Sequence, residues 1–155
     1  MTFQKALSYD DISIVPRVIS ELKHRSEADT SIECFGIKLD IPMIASPMVD
    51  VCNGEIAHSL TKLGALGIIH RFQSIEEQIK EYEWATRRYN KHYFDSVNSS
   101  GALNCVSYAA CAIGITGDYQ ERFKKLYEVG CRIFCLDVAN GANKQVEEAV
   151  KWIQF

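Results

Sequence analysis

Four short apolar runs, each followed by a segment with helical periodicity, constrain the fold of this chain more than any other feature. The runs are IPMIASPM (41–48), ALGIIH (65–70), AACAIGI (109–115) and RIFCLDV (132–138), and each has the length of a buried strand. Apolar strands that alternate with amphipathic helices are typical of a parallel sheet covered by helices. The pattern therefore predicts an α/β fold.

Capping residues and helical spacing place a helix after each run. Asn53 is predicted to cap a helix that Gly64 ends, and SIEE at 74–77 has the pattern of a capping box. DYQE at 118–121 repeats that pattern, and Asn143 is predicted to begin the last helix. The apolar residues expected to share one helix face are Ile56, Leu60 and Leu63 in the first helix, Ile75, Ile79 and Tyr82 in the second, Phe123, Leu126 and Tyr127 in the third, and Val146, Val150 and Ile153 in the last.

The N-terminal part of the chain carries weaker signals. SYDDISIVP (8–16) alternates apolar residues at Ile12 and Ile14 and ends at a proline, which predicts a short edge strand. GIKLDIP (36–42) predicts another short strand before a turn. The segment RRYNKHYFDSVNSSG (87–101) is predicted to be a polar connection.

Strand number and chain length select between two parallel architectures, a doubly wound sheet and a (β/α)₈ barrel. No G-x-G-x-x-G follows the first apolar run, which weakens the doubly wound, dinucleotide-binding alternative. A complete barrel needs about 200 residues or more. With 155 residues and four strands, the chain is predicted to be a single domain, 1–155, that forms about half of a (β/α)₈ TIM barrel.

Composition excludes several classes of function. The net charge is −3 with scattered basic residues, so no nucleic-acid partner is expected. The absence of a long apolar run argues against a membrane span, and the polar N-terminus favours a cytoplasmic location. The six cysteines include no C-x-x-C pair, so we expect free structural thiols and no metal site.

Ligands of such folds bind at the carboxyl ends of the strands, which selects four short segments. Asp137 follows an apolar strand, where a buried carboxylate would be costly, and at the strand end it can accept hydrogen bonds from a ribose diol. Alternatively it only ties down the next loop, an equally weighted interpretation from pattern alone. His70 and Arg71 form a cationic pair that either faces a phosphate or is solvated. Ser46 and Met48 follow the first strand.

Five segments together resemble the IMP dehydrogenase / GMP reductase family. They are LSYDDISIVP (7–16), HRSEADTS (24–31), IPMIASPM (41–48), LGIIHR (66–71) and LDVANG (136–141). The resemblance implies a (β/α)₈ barrel, of which this chain covers the N-terminal half. It also implies an oxidoreductase that acts on a purine nucleoside monophosphate with a nicotinamide cofactor.

Within that family the resemblance favours the reductase, which converts GMP to IMP with NADPH. LDVANG resembles the reductase form of its loop, and the short connection at 90–101 implies that no regulatory module is inserted. An IMP dehydrogenase, which oxidises IMP to XMP with NAD, and a non-catalytic remnant or interaction partner stay open as alternatives.

The resemblance also implies roles for seven residues. The substrate side comprises Ser46, Met48, His70 and Arg71, and the cofactor side comprises Asp137, Ala139 and Asn140. Arg71 stands where reductases usually carry a lysine that helps to position the reacting groups, so it is also an auxiliary candidate. PMVD places its acid at Asp50, one residue later than the family's usual Pro-Met-Asp.

The family's nucleophilic cysteine lies in a Gly-rich loop followed by Thr-Thr-Arg, and no such segment occurs in this sequence. We therefore expect no catalytic residue of that kind here, and a chain that is inactive by itself. The resemblance places the family's monovalent-cation site in the other half of the barrel. It also implies homo-oligomers of the full-length family and, for this chain, a complementing C-terminal half as a partner.

Overall fold

A four-stranded parallel sheet flanked by helices forms the centre of the molecule. The computed structural model describes residues 5–16, 19, 21–87 and 108–154. Its strands are β1 (Ile32–Cys34), β2 (Ile37–Leu39), β3 (Ile44–Ala45), β4 (Leu66–Ile69), β5 (Ala110–Ile113) and β6 (Ile133–Leu136). Its α-helices are α1 (Gly54–Lys62), α2 (Ile75–Thr86), α3 (Tyr119–Glu128) and α4 (Lys144–Ile153). Two 3₁₀ turns, Tyr9–Asp11 and Arg25–Glu27, precede them.

Strand order follows the chain, β3-β4-β5-β6, and every neighbouring pair is parallel. Ala110 occupies the centre of the register, opposite Ile68 on one side and Ile133 on the other. A helix follows each strand, as short parallel connections require. The predicted fold, half of a (β/α)₈ barrel with four parallel strands and covering helices, is confirmed by this arrangement.

Two apolar cores lie on opposite faces of the sheet because side chains alternate along each strand. The helical face carries the larger core, in which Ile69, Cys111 and Ile113 are fully buried. On the other face Leu66 and Ala110 pack with Leu39 of the β1-β2 hairpin. The hairpin therefore covers the second face near the start of the strands.

The N-terminal predictions were half correct. Residues 37–39 form the predicted strand, but they pair antiparallel with β1, a strand that the sequence pattern did not reveal. Phe35 and Gly36 join the two strands with φ values of 52° and 73°, the left-handed geometry that tight hairpins use. The edge strand predicted at 8–16 is wrong: a 3₁₀ turn begins it, and Ile14 is 95% exposed. No described strand lies alongside to pair with it.

Helix α1 buries a different face from the one predicted. Its buried residues are Gly54, Ala57 and His58, whereas Ile56 is 44% exposed. A Cβ built on Gly67 of β4 would lie 2.5 Å from the Cα of Ala57. Such a close approach admits only small residues at the contact, so the larger apolar side chains lie outside it.

Helix starts agree with the sequence except at one position. Asn53 and Asn143 accept the predicted capping hydrogen bonds, and the Ser74–Glu77 capping box is present. The hydrogen bond from the Ser74 backbone lowers the pKa of the Glu77 carboxyl. Asp118 begins α3 without a side-chain cap, because its carboxylate instead binds Arg122.

The remaining predictions concern burial and the connection. Tyr82 is buried and Tyr127 is half exposed, and in α4 the buried residue is Ala149 rather than Val150. The polar connection predicted at 87–101 lies outside the described residues, apart from Arg87.

None of the described helices is long and apolar enough to cross a membrane.

Candidate functional site

The carboxyl ends of β3, β4, β5 and β6 meet at one edge of the parallel sheet. Ser46, His70, Gly114 and Asp137 are the first residues after these strands. This edge is where α/β proteins bind ligands. All seven residues predicted for the site lie at this edge, on the loops after β3, β4 and β6.

An ion pair connects two of these loops across the sheet. Nε of Arg71, after β4, donates to Oδ2 of Asp137, after β6, at 3.1 Å. The two side chains are 34% and 28% exposed, so both remain accessible to a ligand. The pair unites a residue predicted on the substrate side with one predicted on the cofactor side.

Residues at the end of β5 contact both members of this pair. The backbone N–H of Asp137 donates to the carbonyl of Ile113 at 2.9 Å, which fixes where the acidic side chain begins. A Cβ built on Gly114 would lie 3.7 Å from Nη1 of Arg71. The arginine side chain therefore crosses the end of β5 beside a residue that has no side chain.

His70 is buried at the same edge, with 6% of its surface exposed. Its Nδ1 atom is buried and has no hydrogen-bond partner among the described residues. Its backbone N–H donates to the carbonyl of Cys52, which links the end of β4 to the loop after β3. The sequence alternative of a solvated loop pair therefore fails for His70, and Arg71 is ion-paired.

The other four predicted residues lie on exposed loops. The carbonyl of Ser46 accepts a hydrogen bond from the N–H of Met48 at 2.8 Å in a tight turn, and Met48 is 57% exposed. Asn140 uses its side-chain oxygen to accept from the N–H of Ala142 at 3.0 Å. Asn140 thus shapes the turn into α4, and Ala139 beside it is exposed.

The cysteines in the described part of the chain are free thiols, and Cys52, Cys111 and Cys131 are fully buried in the larger core. Burial raises the pKa of Cys52 to about 11. Burial and a hydrogen bond with Cys131 raise the pKa of Cys111 well above its usual value. Neither thiol is poised as a nucleophile. The described residues contain no cluster of three or more metal-ligating side chains.

Two buried polar side chains behind this edge were missed by the sequence reasoning. Gln78 of α2 is fully buried and Arg122 of α3 is 6% exposed. Nη1 of Arg122 donates to Oε1 of Gln78 at 2.8 Å. A signal was present, because Gln78 falls on the same helical face as Ile75 and Tyr82, a face otherwise predicted to be apolar.

Comparison with known proteins identifies the family. The family model described as "IMP dehydrogenase / GMP reductase domain" matches residues 6–155. An inosine-5'-monophosphate dehydrogenase of Borreliella burgdorferi is 28% identical over 184 aligned positions, covering 97% of this chain and 45% of that protein. The corresponding enzyme of Methanocaldococcus jannaschii is 38% identical over 80 positions, covering 52% of this chain and 16% of the enzyme.

The similar proteins also include a GMP reductase. A GMP reductase of Leishmania donovani is 40% identical over 78 positions, which cover 50% of this chain and 16% of that protein. The chain spans about half the length of the Borreliella relative, and nearly all of this chain lies within that match. From the family match and the parallel half-barrel together, we conclude that this chain belongs to the IMP dehydrogenase / GMP reductase family.

Proposed function

We propose that this chain is a GMP reductase-like oxidoreductase of purine nucleotide metabolism that supplies one part of the nucleotide and cofactor site. The ion pair between Arg71 and Asp137 at 3.1 Å carries the proposal. It places a cation and a carboxylate from two strand ends at the ligand-binding edge of a fold whose family handles purine nucleotides.

Each member of the pair has donors or acceptors left for a ligand. Among the described residues the contact engages Nε of Arg71 and Oδ2 of Asp137. Oδ1 of Asp137 can accept from the hydroxyls of a cofactor ribose, and the Nη groups of Arg71 can donate to an anionic oxygen. The residues present therefore fit a nicotinamide nucleotide, and that cofactor, when bound, would supply or accept the hydride.

The substrate would bind on the β3 and β4 side of the pair. Nδ1 of His70 has no hydrogen-bond partner among the described residues, and a purine or its sugar would supply one to this buried atom. Ser46 and Met48 present exposed groups on the neighbouring loop, where a nucleoside monophosphate can contact both. Arg71 lies between the substrate and cofactor sides, which suits an auxiliary role in orienting the reacting groups.

We propose GMP as the substrate and NADPH as the reductant because LDVANG resembles the reductase form of its loop. Oxidation of IMP with NAD is the second candidate, since relatives named IMP dehydrogenase match this chain to a similar degree. In both cases we propose that the complete site needs a complementing C-terminal half, in a cytoplasmic protein.

Nucleotide titration of the isolated 155-residue chain, followed by isotope-labelled NMR, tests this proposal. GMP is expected to perturb the amide signals of residues 46–48 and 70–71, and NADPH those of residues 137–140. The absorbance of reduced nicotinamide should not change, because no cysteine here stands in the family's nucleophile loop. Asp137→Asn should weaken NADPH binding about tenfold, through loss of a charged acceptor.

Glu128→Gln is the matched control, because it removes an exposed carboxylate from the far end of α3. It should leave both affinities unchanged. Binding of neither nucleotide, or equal loss from the Asp137 and Glu128 variants, would contradict the proposed function. Turnover of GMP by this chain alone would contradict the need for a complementing half.

A further inference from the structure

A buried polar network lies directly behind the loop that carries Arg71. Its centre is Arg122 of α3, which is 6% exposed and makes four hydrogen bonds. Nε and Nη2 bind Oδ2 of Asp118, at 3.2 Å and 2.8 Å. Burial of a charged group destabilises the fold unless ion pairs and hydrogen bonds offset the loss of its hydration.

The remaining donors of Arg122 point toward the end of β4. Nη2 donates to the backbone carbonyl of Gln73 at 2.9 Å, and Nη1 donates to Oε1 of Gln78 at 2.8 Å. Gln78 in turn donates from Nε2 to the carbonyl of Ile69 at 3.3 Å and to that of Ala112 at 2.9 Å. One guanidinium thus connects the ends of β4 and β5.

A third carbonyl of the same loop is also held. Nε2 of Gln73 donates to the carbonyl of His70 at 3.0 Å and to Oε2 of Glu81 at 3.0 Å. The carbonyls at 69, 70 and 73 are therefore fixed on both sides of Arg71. The Arg71 side chain must begin from this segment to reach Asp137.

We propose that Arg122 is a positioning residue: through Gln78 and Gln73 it sets the loop after β4, and so aims Arg71 at Asp137. The inference rests on the proposed function for its consequence in ligand binding. Its geometric content, the orientation of Arg71, stands independently of any ligand.

The network does more than attach helix α3 to helix α2. Lys125 already joins those helices at the surface through an ion pair with Glu76 at 3.1 Å. Arg122 and Gln78 instead engage carbonyls at the carboxyl ends of two strands, where the proposed site lies. Lysine cannot replace Arg122 here, because it lacks the planar fork that reaches three partners at once.

The exchange rate of the Arg71 Nε–H proton, measured by NMR on the full chain without ligand, tests the proposal. Arg71→Lys assigns the signal. Arg122→Lys should accelerate this exchange about tenfold. Gln73→Met removes the links of the Gln73 side chain to the His70 carbonyl and to Glu81 but leaves the hydrogen bonds of Arg122 in place, so it should accelerate the exchange less. Lys125→Met is the control, since it removes the surface link between the same helices and should change the rate less than about twofold.

Unchanged exchange in both Arg122→Lys and Gln73→Met would overturn the positioning role. If Arg122→Lys unfolds the chain, Asp118→Asn replaces it, because this change removes the charge of the half-exposed carboxylate that holds Arg122, and unchanged exchange in Asp118→Asn and Gln73→Met would then overturn the proposal. Equal acceleration in Lys125→Met would also overturn the proposal, since it would show general loosening. A GMP titration of the same variants is separate: no binding by the unaltered chain would contradict the proposed function and leave the exchange result valid.

Discussion

The contact between Arg71 and Asp137 matters for geometry rather than for stability. Partly exposed ion pairs contribute only about 0.2–1 kcal/mol to folding. This pair nevertheless decides the direction of two side chains that arise two strands apart. The sequence indicated that both residues lie at strand ends, but it could not show that they meet. That meeting depends on the register between β4, β5 and β6.

At the same scale, burial predicts the order in which the thiols react. A pKa raised to about 11 leaves Cys52 protonated throughout the neutral range, and thiolate accumulates only as the pH rises toward that value. We expect iodoacetamide near neutral pH to modify the partly exposed Cys34 before the buried Cys52 and Cys111. Peptide mapping by mass spectrometry measures the order. Modification of Cys52 as fast as Cys34 in the native chain would contradict it.

At the level of elements, the short backbone distances from α1 to β4 and α2, rather than the size of its apolar side chains, decide which face of α1 is buried. Gly54 meets the backbone of Glu81 on α2, where a Cβ would lie 2.5 Å from the carbonyl oxygen. Gly67 meets Ala57 in the same way. Helical periodicity found the helix and its caps correctly, but it assigned the buried face by side-chain size. Which face touches the sheet is set by the distance between the elements, and hydropathy does not contain that distance.

This packing predicts that Gly67→Ala destabilises the fold. The new methyl group would lie 2.5 Å from the Cα of Ala57, so α1 must move away from β4. We expect a loss of about 1–3 kcal/mol in the free energy of unfolding, measured by urea denaturation. Gly141→Ala is the control, because nothing lies within 4 Å of its Cβ position, and it should be close to neutral. Equal stability of the two variants would contradict the close approach.

On the scale of the whole molecule, the sheet has two open sides. In the described part of the chain, β3 and β6 each have one neighbour, so each leaves an unpaired edge. Apolar side chains accompany the β3 edge: Met43 is 61% exposed and Ile44 is 43% exposed. Open edges beside apolar surface favour association with another chain.

We therefore expect the isolated chain to self-associate, with a weight-average mass in sedimentation equilibrium that rises with concentration. Ile44→Lys should shift the population toward monomer, since a charge on an edge strand opposes pairing. Leu63→Lys, which charges an exposed position at the end of α1, should not. A monomer at all concentrations, or the same response from both variants, would contradict this prediction.

The sequence by itself determined the order of the four parallel strands and the helices that follow them, most caps and the positions of the seven site residues at strand ends. These follow from local patterns, because hydropathic period and capping chemistry act over a few residues. The tertiary structure alone decided the β1-β2 hairpin, the buried face of α1, the pairing of Arg71 with Asp137 and the network of Arg122 and Gln78. Except for the hairpin, which is local but carries only a weak sequence pattern, each of these joins residues from different elements, so it depends on distances and register that arise only when the elements pack.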